Sequence, residues 1–130
     1  MNESLLALLV IMFLLIGVVI FIAEKSKPRL NKQHFQKHWQ DIEASSDYSR
    51  AVLRADSLLD EAMRHAKIKG VTMGERLNNS GGLIKDINAA WSAHKLRNTI
   101  AHEVSFEPTA IQCQRALRQF KRALKDLGAL

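Results

Sequence analysis

Hydrophobic and polar positions divide this chain into two unequal parts. From Leu5 to Ala23 no residue carries a charge or a strong hydrogen-bonding side chain, and these nineteen residues would rise about 28 Å as an α-helix, close to the thickness of a bilayer's hydrocarbon core. Beyond this run, apolar residues recur every three or four positions, as they do in amphipathic helices. The pattern predicts four segments: a short extracytoplasmic N-terminus (1–4), a transmembrane helix (5–23), a basic tether (24–30) and a helical domain (31–130).

The flanks of the apolar run favour a retained anchor over a cleaved signal peptide. A signal peptide has basic residues before a shorter apolar region and small residues at its cleavage site. Here MNES contains no Lys or Arg, and IFIAEKSK is a poor cleavage site. The basic residues follow the run, at Lys25, Lys27, Arg29, Lys32 and Lys37. Because basic flanks stay on the cytoplasmic side, we expect a single-pass protein of the cell membrane with its N-terminus outside and its C-terminal domain in the cytoplasm.

Four or five helices are predicted in the domain. Apolar spacing indicates a first helix over residues 31–44 and a second over Tyr48–Lys69, which SSD would cap at its start. Gly70 is a plausible terminator of the second helix. TMGE has the form of a capping box and predicts a short helical turn. A third long helix is expected from Leu83, and a last one with Pro108 in its first turn. The expected fold is all-α, a transmembrane helix followed by a four- to five-helix up-and-down bundle.

The charge of the chain favours anionic partners. It carries 19 Lys and Arg against 13 Asp and Glu, a formal net charge of +6 at pH 7, and every basic residue follows the apolar run. Nucleic acid and an anionic membrane surface are both candidates. On the last predicted helix, spacings of three and four draw a basic stripe formed by Arg115, Arg118, Arg122 and Lys125. The stripe is predicted to bind a nucleic-acid backbone, with a solvated helix face as the alternative.

Several other side chains are expected to be structural. Cys113 has no second cysteine to pair with and lies on an apolar seam, so we expect a small core residue. Trp39 and Trp91 have apolar neighbours at helical spacing and are expected to pack in the core, with base stacking as the alternative. His34 and His38 are one turn apart and could grip a metal ion, but no third ligand lies nearby in the sequence. We therefore predict no metal site and no cofactor.

The segment HKLRNTIAHE, residues 94–103, stands out near the end of the third long helix. Within it, RNTIAH runs from Arg97 to His102, inside the longer stretch AAWSAHKLRNTIAHE. An Arg and a His with four to six residues between them, near the end of a bundle helix, resemble the signature of HEPN domains, and the resemblance covers residues 31–130. It implies metal-independent RNA cleavage in a homodimer, where two motifs form one composite site. One departure is Val104, where many nuclease members carry an aromatic residue.

The resemblance gives each polar residue of the segment an expected role. His102 would exchange a proton with the ribose 2′-hydroxyl or the leaving oxygen, and Arg97 would stabilise charge on the phosphate. Asn98, one turn before His102, is expected to orient it, and His94 either lines the same groove or packs in the core. Glu103 would polarise a histidine, pair with a lysine or face solvent. Five residues turn an ideal helix by about 500°, so Arg97 and His102 converge only if the helix end frays or if they act across a dimer.

The sequence thus predicts a membrane-anchored, HEPN-like protein that binds RNA as a homodimer. Whether it is an enzyme that cleaves RNA through Arg97 and His102 stays open, because both residues could instead cap the helix C-terminus. The alternative function is a non-catalytic, membrane-tethered module that binds a protein partner or nucleic acid. A regulatory protein is a further candidate partner. The observation that separates these readings is whether both side chains are exposed and able to meet those of a second copy.

Overall fold

The computed structural model describes residues 2–25 and 28–130, and within them the chain forms six helices and no strand. In chain order these are α1 (Glu3–Lys25), α2 (Lys32–Glu43), α3 (Tyr48–His65), α4 (Met73–Asn78), α5 (Ile87–His102) and α6 (Ala110–Asp126). The predicted all-α class is confirmed for the described residues. Helices α2 to α6 form a helical bundle.

Helix α1 contributes no described side chain to the buried core of this bundle. It contains the predicted span 5–23, all of its side chains from residue 3 to residue 22 are exposed, and within the described residues no other helix packs against it. Among the described residues it is the one helix long and apolar enough to cross a membrane. These properties fit a single-pass anchor and also fit a signal sequence. Residue 1 and residues 26 and 27 of the predicted tether lie outside the described residues.

Each helix of the bundle begins at a side chain that accepts a hydrogen bond from the amide three positions further on. The five N-cap residues are Asn31, Asp47, Thr72, Asp86 and Thr109. Each cap satisfies an amide that the helix itself leaves free, which is worth about 1 kcal/mol. The predicted caps in SSD and TMGE are confirmed, except that the Glu75 carboxylate accepts from the amide of Val71 rather than from that of Thr72.

Two predicted helix starts are wrong because a capping side chain stands at a different position. Helix α5 begins at Ile87 instead of Leu83, since Asp86 accepts the hydrogen bond that opens it. Pro108 lies just before the N-cap of α6, outside the first turn. That cap is a complete capping box, in which Thr109 and Gln112 exchange side-chain-to-backbone hydrogen bonds.

The end of α3 is also earlier than predicted, at His65 instead of Lys69. Lys67 adopts a left-handed backbone conformation with φ 59°. The next amide, that of Ile68, then donates to the carbonyl of Met63 over 3.0 Å. This is a Schellman ending, in which a lysine occupies the position that glycine fills most easily.

Gly70, the predicted terminator, instead permits a close approach between α4 and the loop before it. A Cβ atom at Gly70 would lie 2.7 Å from the backbone nitrogen of Arg76. The buried Arg76 side chain donates to the carbonyl of Gly70 and to both oxygens of Asp60, at 2.7 and 3.1 Å. This arginine therefore holds the loop and α4 against α3.

Helix α3 lies at the centre of the core and packs against α2, α4, α5 and α6. The largest fully buried side chains are Phe35, Phe120, Leu59, Met63, Leu77, Leu124, Leu127, Val52 and Cys113. The predicted burial of Trp39 and Cys113 is confirmed. Trp91 is half-buried, with its ring edge against Gly74, where an added Cβ would come within 3.1 Å of it.

Helices α5 and α6 run antiparallel. A short connection over residues 103–109 joins them at one end. At the opposite end the backbone amide of Lys85, just before α5, donates to Asp126 Oδ2 over 2.9 Å at the last residue of α6. The start of α5, the end of α6 and the entry of the chain from α1 share this second end of the bundle, because Leu30 packs on the core there with Leu83 and Leu127 nearby.

Candidate functional site

The motif helix α5 places two of its polar side chains, His94 and Arg97, against one carboxylate of α3. Asp56, buried to 4% exposure, lies with Oδ1 2.8 Å from His94 Nδ1 and with Oδ2 3.2 Å from Arg97 Nε. Asn98 completes the group: its Oδ1 accepts from Arg97 Nη1 at 3.0 Å, and its Nδ2 lies 3.3 Å from His94 Nε2. The structure thus brings together His94, Arg97 and Asn98, all predicted site residues, around a fourth residue.

One assignment of hydrogens satisfies the three hydrogen bonds of this group, whereas the buried Arg97 Nε contacts Asp56 Oδ2 as an ion pair without a hydrogen bond. The tautomer of His94 with its proton on Nδ1 donates to Asp56 and leaves Nε2 free to accept from the Asn98 amide. Asn98 then presents its oxygen to Arg97, as the 3.0 Å contact requires. The Asp56 carboxylate is balanced by the Arg97 guanidinium, as a buried charge needs to be.

Arg97 is only partly covered by this group. Its side chain is 30% exposed, and it reaches the wall of a pocket of about 490 Å³ between α3, α4 and α5. Ser57, Arg64 and Trp91 line the same pocket. The guanidinium is therefore held in one orientation on its Asp56 side and remains accessible from the pocket.

His102 and Glu103 lie away from this group, at the far end of α5. Both are exposed, and α5 stays helical through His102, with Glu103 as the C-cap whose amide donates to the Thr99 carbonyl. The helix end does not fray, so within one chain Arg97 and His102 point about 140° apart around the helix axis. The expectation that Asn98 orients His102 is wrong, because its amide side chain is already bonded to His94 and Arg97.

The basic stripe of α6 is exposed as a row. Arg115, Arg118, Arg122 and Lys125 are all exposed, and in the described part of the chain none of the four forms a salt bridge. The remaining cation of the helix, Lys121, contacts Glu43 and lies over the ring of Trp39. The Lys121 hydrogen bond lowers the pKa of the Glu43 carboxyl below its ordinary value.

His34 and His38 have different partners from those a metal site requires. The His34 ring contacts His38 edge-on, and His34 Nε2 lies 2.8 Å from Glu61 Oε1. His65 is 3.9 Å from the same oxygen. Within residues 2–25 and 28–130, no three His, Cys, Asp or Glu side chains are arranged to hold a metal ion.

Asp56 is the site residue that the sequence analysis missed. It occupies the apolar face of α3, four residues after Val52 and three before Leu59. An acidic residue on the buried face of an amphipathic helix requires a cationic or donor partner, and this is the signal that could have identified it.

Comparison with known proteins yields no match. Neither a family model, nor the sequence of a characterised protein, nor a solved structure matches this chain. The HEPN resemblance therefore depends on the residues of the α5 segment alone.

Proposed function

We propose that this chain is a membrane-anchored, HEPN-like protein that binds RNA. The observation that carries RNA binding is the exposed row of Arg115, Arg118, Arg122 and Lys125 on α6, a helix with no acidic residue before Asp126. Cations at this spacing match the repeated negative charge of a nucleic-acid backbone. Helix α1 would hold the domain at the cytoplasmic face of the cell membrane, as the basic residues after the span favour.

We further propose that two chains together cleave RNA without a metal ion. His102 is exposed at the end of an intact helix, and Arg97 is fixed by Asp56 and Asn98 while it stays accessible. A composite site would combine Arg97 of one chain with His102 of the other. Arg97 would stabilise the charge on the phosphate, and His102 would take the 2′-hydroxyl proton or deliver a proton to the 5′-oxygen.

A mixing experiment tests this composite site directly. Arg97→Ala and His102→Ala chains are each expected to be inactive on RNA in excess chelator. An equal mixture of the two should recover about a quarter of wild-type activity, because half of the random dimers are mixed and each holds one intact site of two. Products should end in 2′,3′-cyclic phosphate. His65→Ala, which removes another exposed histidine, is the matched control and should keep full activity.

Two results of this experiment would contradict the cleavage proposal. If the wild-type dimer is active but the mixture of the two variants is not, Arg97 and His102 act within one chain. A folded, dimeric wild type without activity would rule out RNA cleavage by this protein.

RNA binding has a separate test. The double variant Arg115→Gln/Arg118→Gln should weaken RNA binding and lower the slope of log affinity against log salt by about 0.7 for each lost contact. The control variant Lys67→Gln/Lys69→Gln removes the same charge and should leave the affinity and the slope unchanged.

The ion pair between Asp56 and Arg97 favours a second candidate, a non-catalytic interaction module. An arginine whose charge is already balanced by a buried carboxylate attracts a phosphate less strongly. In that case α5 would be a structural helix, and α6 would bind a protein partner or nucleic acid without chemistry. Retention of RNA binding by an inactive wild type is the outcome that supports this candidate.

A further inference from the structure

A cleft at the end of the bundle nearest α1 collects cations from three separate parts of the chain. It is lined by Arg29 and Lys32 at the entry to α2, by Lys85 in the loop before α5 and by Lys125 in the last turn of α6. All four side chains are exposed. The one acidic residue of the lining, Asp126, accepts the backbone amide of Lys85 and so holds that loop beside the end of α6.

The chain length fixes this cleft close to the end of α1. Helix α1 continues to Lys25, and Leu30 already packs on the core of the bundle. Between the apolar span, which ends at Ile22, and Arg29 the chain can extend by at most about 20 Å, with three residues helical and the rest stretched. Phe21 of α1 also lines the cleft. When α1 crosses a bilayer, the cleft therefore lies in or next to the headgroup layer.

We propose that this cleft binds the phosphate headgroups of anionic phospholipids and thereby fixes the bundle against the membrane. The inference rests on the anchoring role proposed for α1. Positive charge next to a bilayer is attracted by the negative surface potential of anionic leaflets. Apolar side chains of Leu30 and Leu83 stand beside the cations, as suits a ligand with a charged head and apolar acyl chains.

Lipid is a better occupant than RNA at this end of the stripe. An RNA strand in the cleft would lie between the bundle and the membrane, where an anionic leaflet repels it. Lys125, at the anchor end of α6, is therefore assigned to lipid. Arg115 and Arg118, about 10–15 Å further along the helix, stay assigned to RNA.

Lysine footprinting of the full chain in lipid nanodiscs tests the proposal. The acylation rates of Lys32, Lys85 and Lys125 are measured by mass spectrometry in discs of phosphatidylcholine alone and in discs containing phosphatidylglycerol. All three should react at least threefold more slowly in the anionic discs, and Lys95, exposed in the middle of α5, should react equally in both. The protection should disappear in 0.5 M NaCl, where screening shortens the range of surface charge.

A matched pair of variants assigns the effect to the cleft. In Lys85→Gln/Lys125→Gln, the protection of Lys32 should fall by at least half. In Arg115→Gln/Arg118→Gln, which removes the same charge at the other end of α6, the protection of Lys32 should be unchanged.

Three results would overturn the inference. The first is an inserted chain whose lysines react equally in both kinds of disc, and the second is protection that includes Lys95. The third is protection by added RNA oligonucleotide in phosphatidylcholine discs, which would assign the cleft to RNA. A chain that does not enter discs at all would instead contradict the anchoring role of α1, and the lipid site would fail with it.

Discussion

At the scale of single residues, Asp56 closes a ring of four contacting side chains from outside the motif. Its two oxygens contact His94 and Arg97, and Asn98 links the same two side chains from the other side. The sequence could predict that residues of α5 meet near Arg97, because they share a helix. It could not predict which carboxylate they meet, because that pairing joins residues 38 positions apart.

Replacement of Asp56 by Asn tests how much the bundle depends on this carboxylate. The change leaves Arg97 without its counter-charge, so we expect the free energy of unfolding to fall by about 2–3 kcal/mol, with partial exposure of Arg97 limiting the loss. Urea denaturation measures it. Asp41→Asn, at an exposed position, should stay within about 0.5 kcal/mol of wild type. An equally small loss for Asp56→Asn would show that the ion pair adds no net stability.

Cys113 gives a second prediction at this scale. Burial raises the pKa of the thiol, and the Asp47 carboxylate adds to the effect. We therefore expect a thiol reagent at pH 8 to react with the folded chain at least about 100-fold more slowly than with the chain in urea. A Ser105→Cys chain, which adds an exposed thiol, should show one fast and one slow site.

The same shift predicts a direction for stability at high pH. The folded chain keeps the Cys113 proton to higher pH than the unfolded chain does, so the free energy of unfolding should fall as pH rises above about 8.5. A Cys113→Ala chain should lose this component of the pH dependence. Fast labelling of the folded wild type would contradict the burial on which both expectations depend.

At the scale of helices, apolar spacing located the four long helices of the bundle and the TMGE motif located α4, but several helix ends were misplaced. Positions such as Phe35, Trp39 and Ile42 repeat with the helical period, so the existence of α2 follows from the sequence. The ends depend on single side chains and backbone angles. The start of α5 is set by Asp86, and the end of α3 by the left-handed conformation of Lys67, neither of which periodicity can reveal.

Lys67→Gly should therefore stabilise the protein. Glycine adopts positive φ without the steric cost that a lysine incurs, and we expect a gain of about 0.5–1 kcal/mol in the free energy of unfolding. The control is Lys69→Gly, two residues further on, which removes the same charge at a position without positive φ. It should be neutral or destabilising. Equal effects of the two changes would mean that the left-handed angle carries no strain.

At the scale of the whole molecule, the structure consists of a bundle with its own core and a helix outside that core. Among the described side chains of α1, residues 3–22, none belongs to the buried core, which extends from Phe35 to Ala129. The fragment 28–130 should therefore unfold with the same free energy as the full chain in mild detergent, to within about 0.5 kcal/mol. Urea denaturation of both proteins checks this. A difference above 1 kcal/mol would show that α1 supports the bundle.

The short link between α1 and Leu30 also restricts the symmetry of any homodimer. Two copies inserted in the same direction can be related only by a two-fold axis perpendicular to the membrane, because an axis in the membrane plane would reverse one of the anchors. The 103–109 connection and the adjacent His102 lie at the end of the bundle away from the entry of the chain from α1, so in copies anchored by α1 they would face away from the bilayer. A strand of RNA would thus approach such a pair from above, along the axis, without passing between protein and lipid.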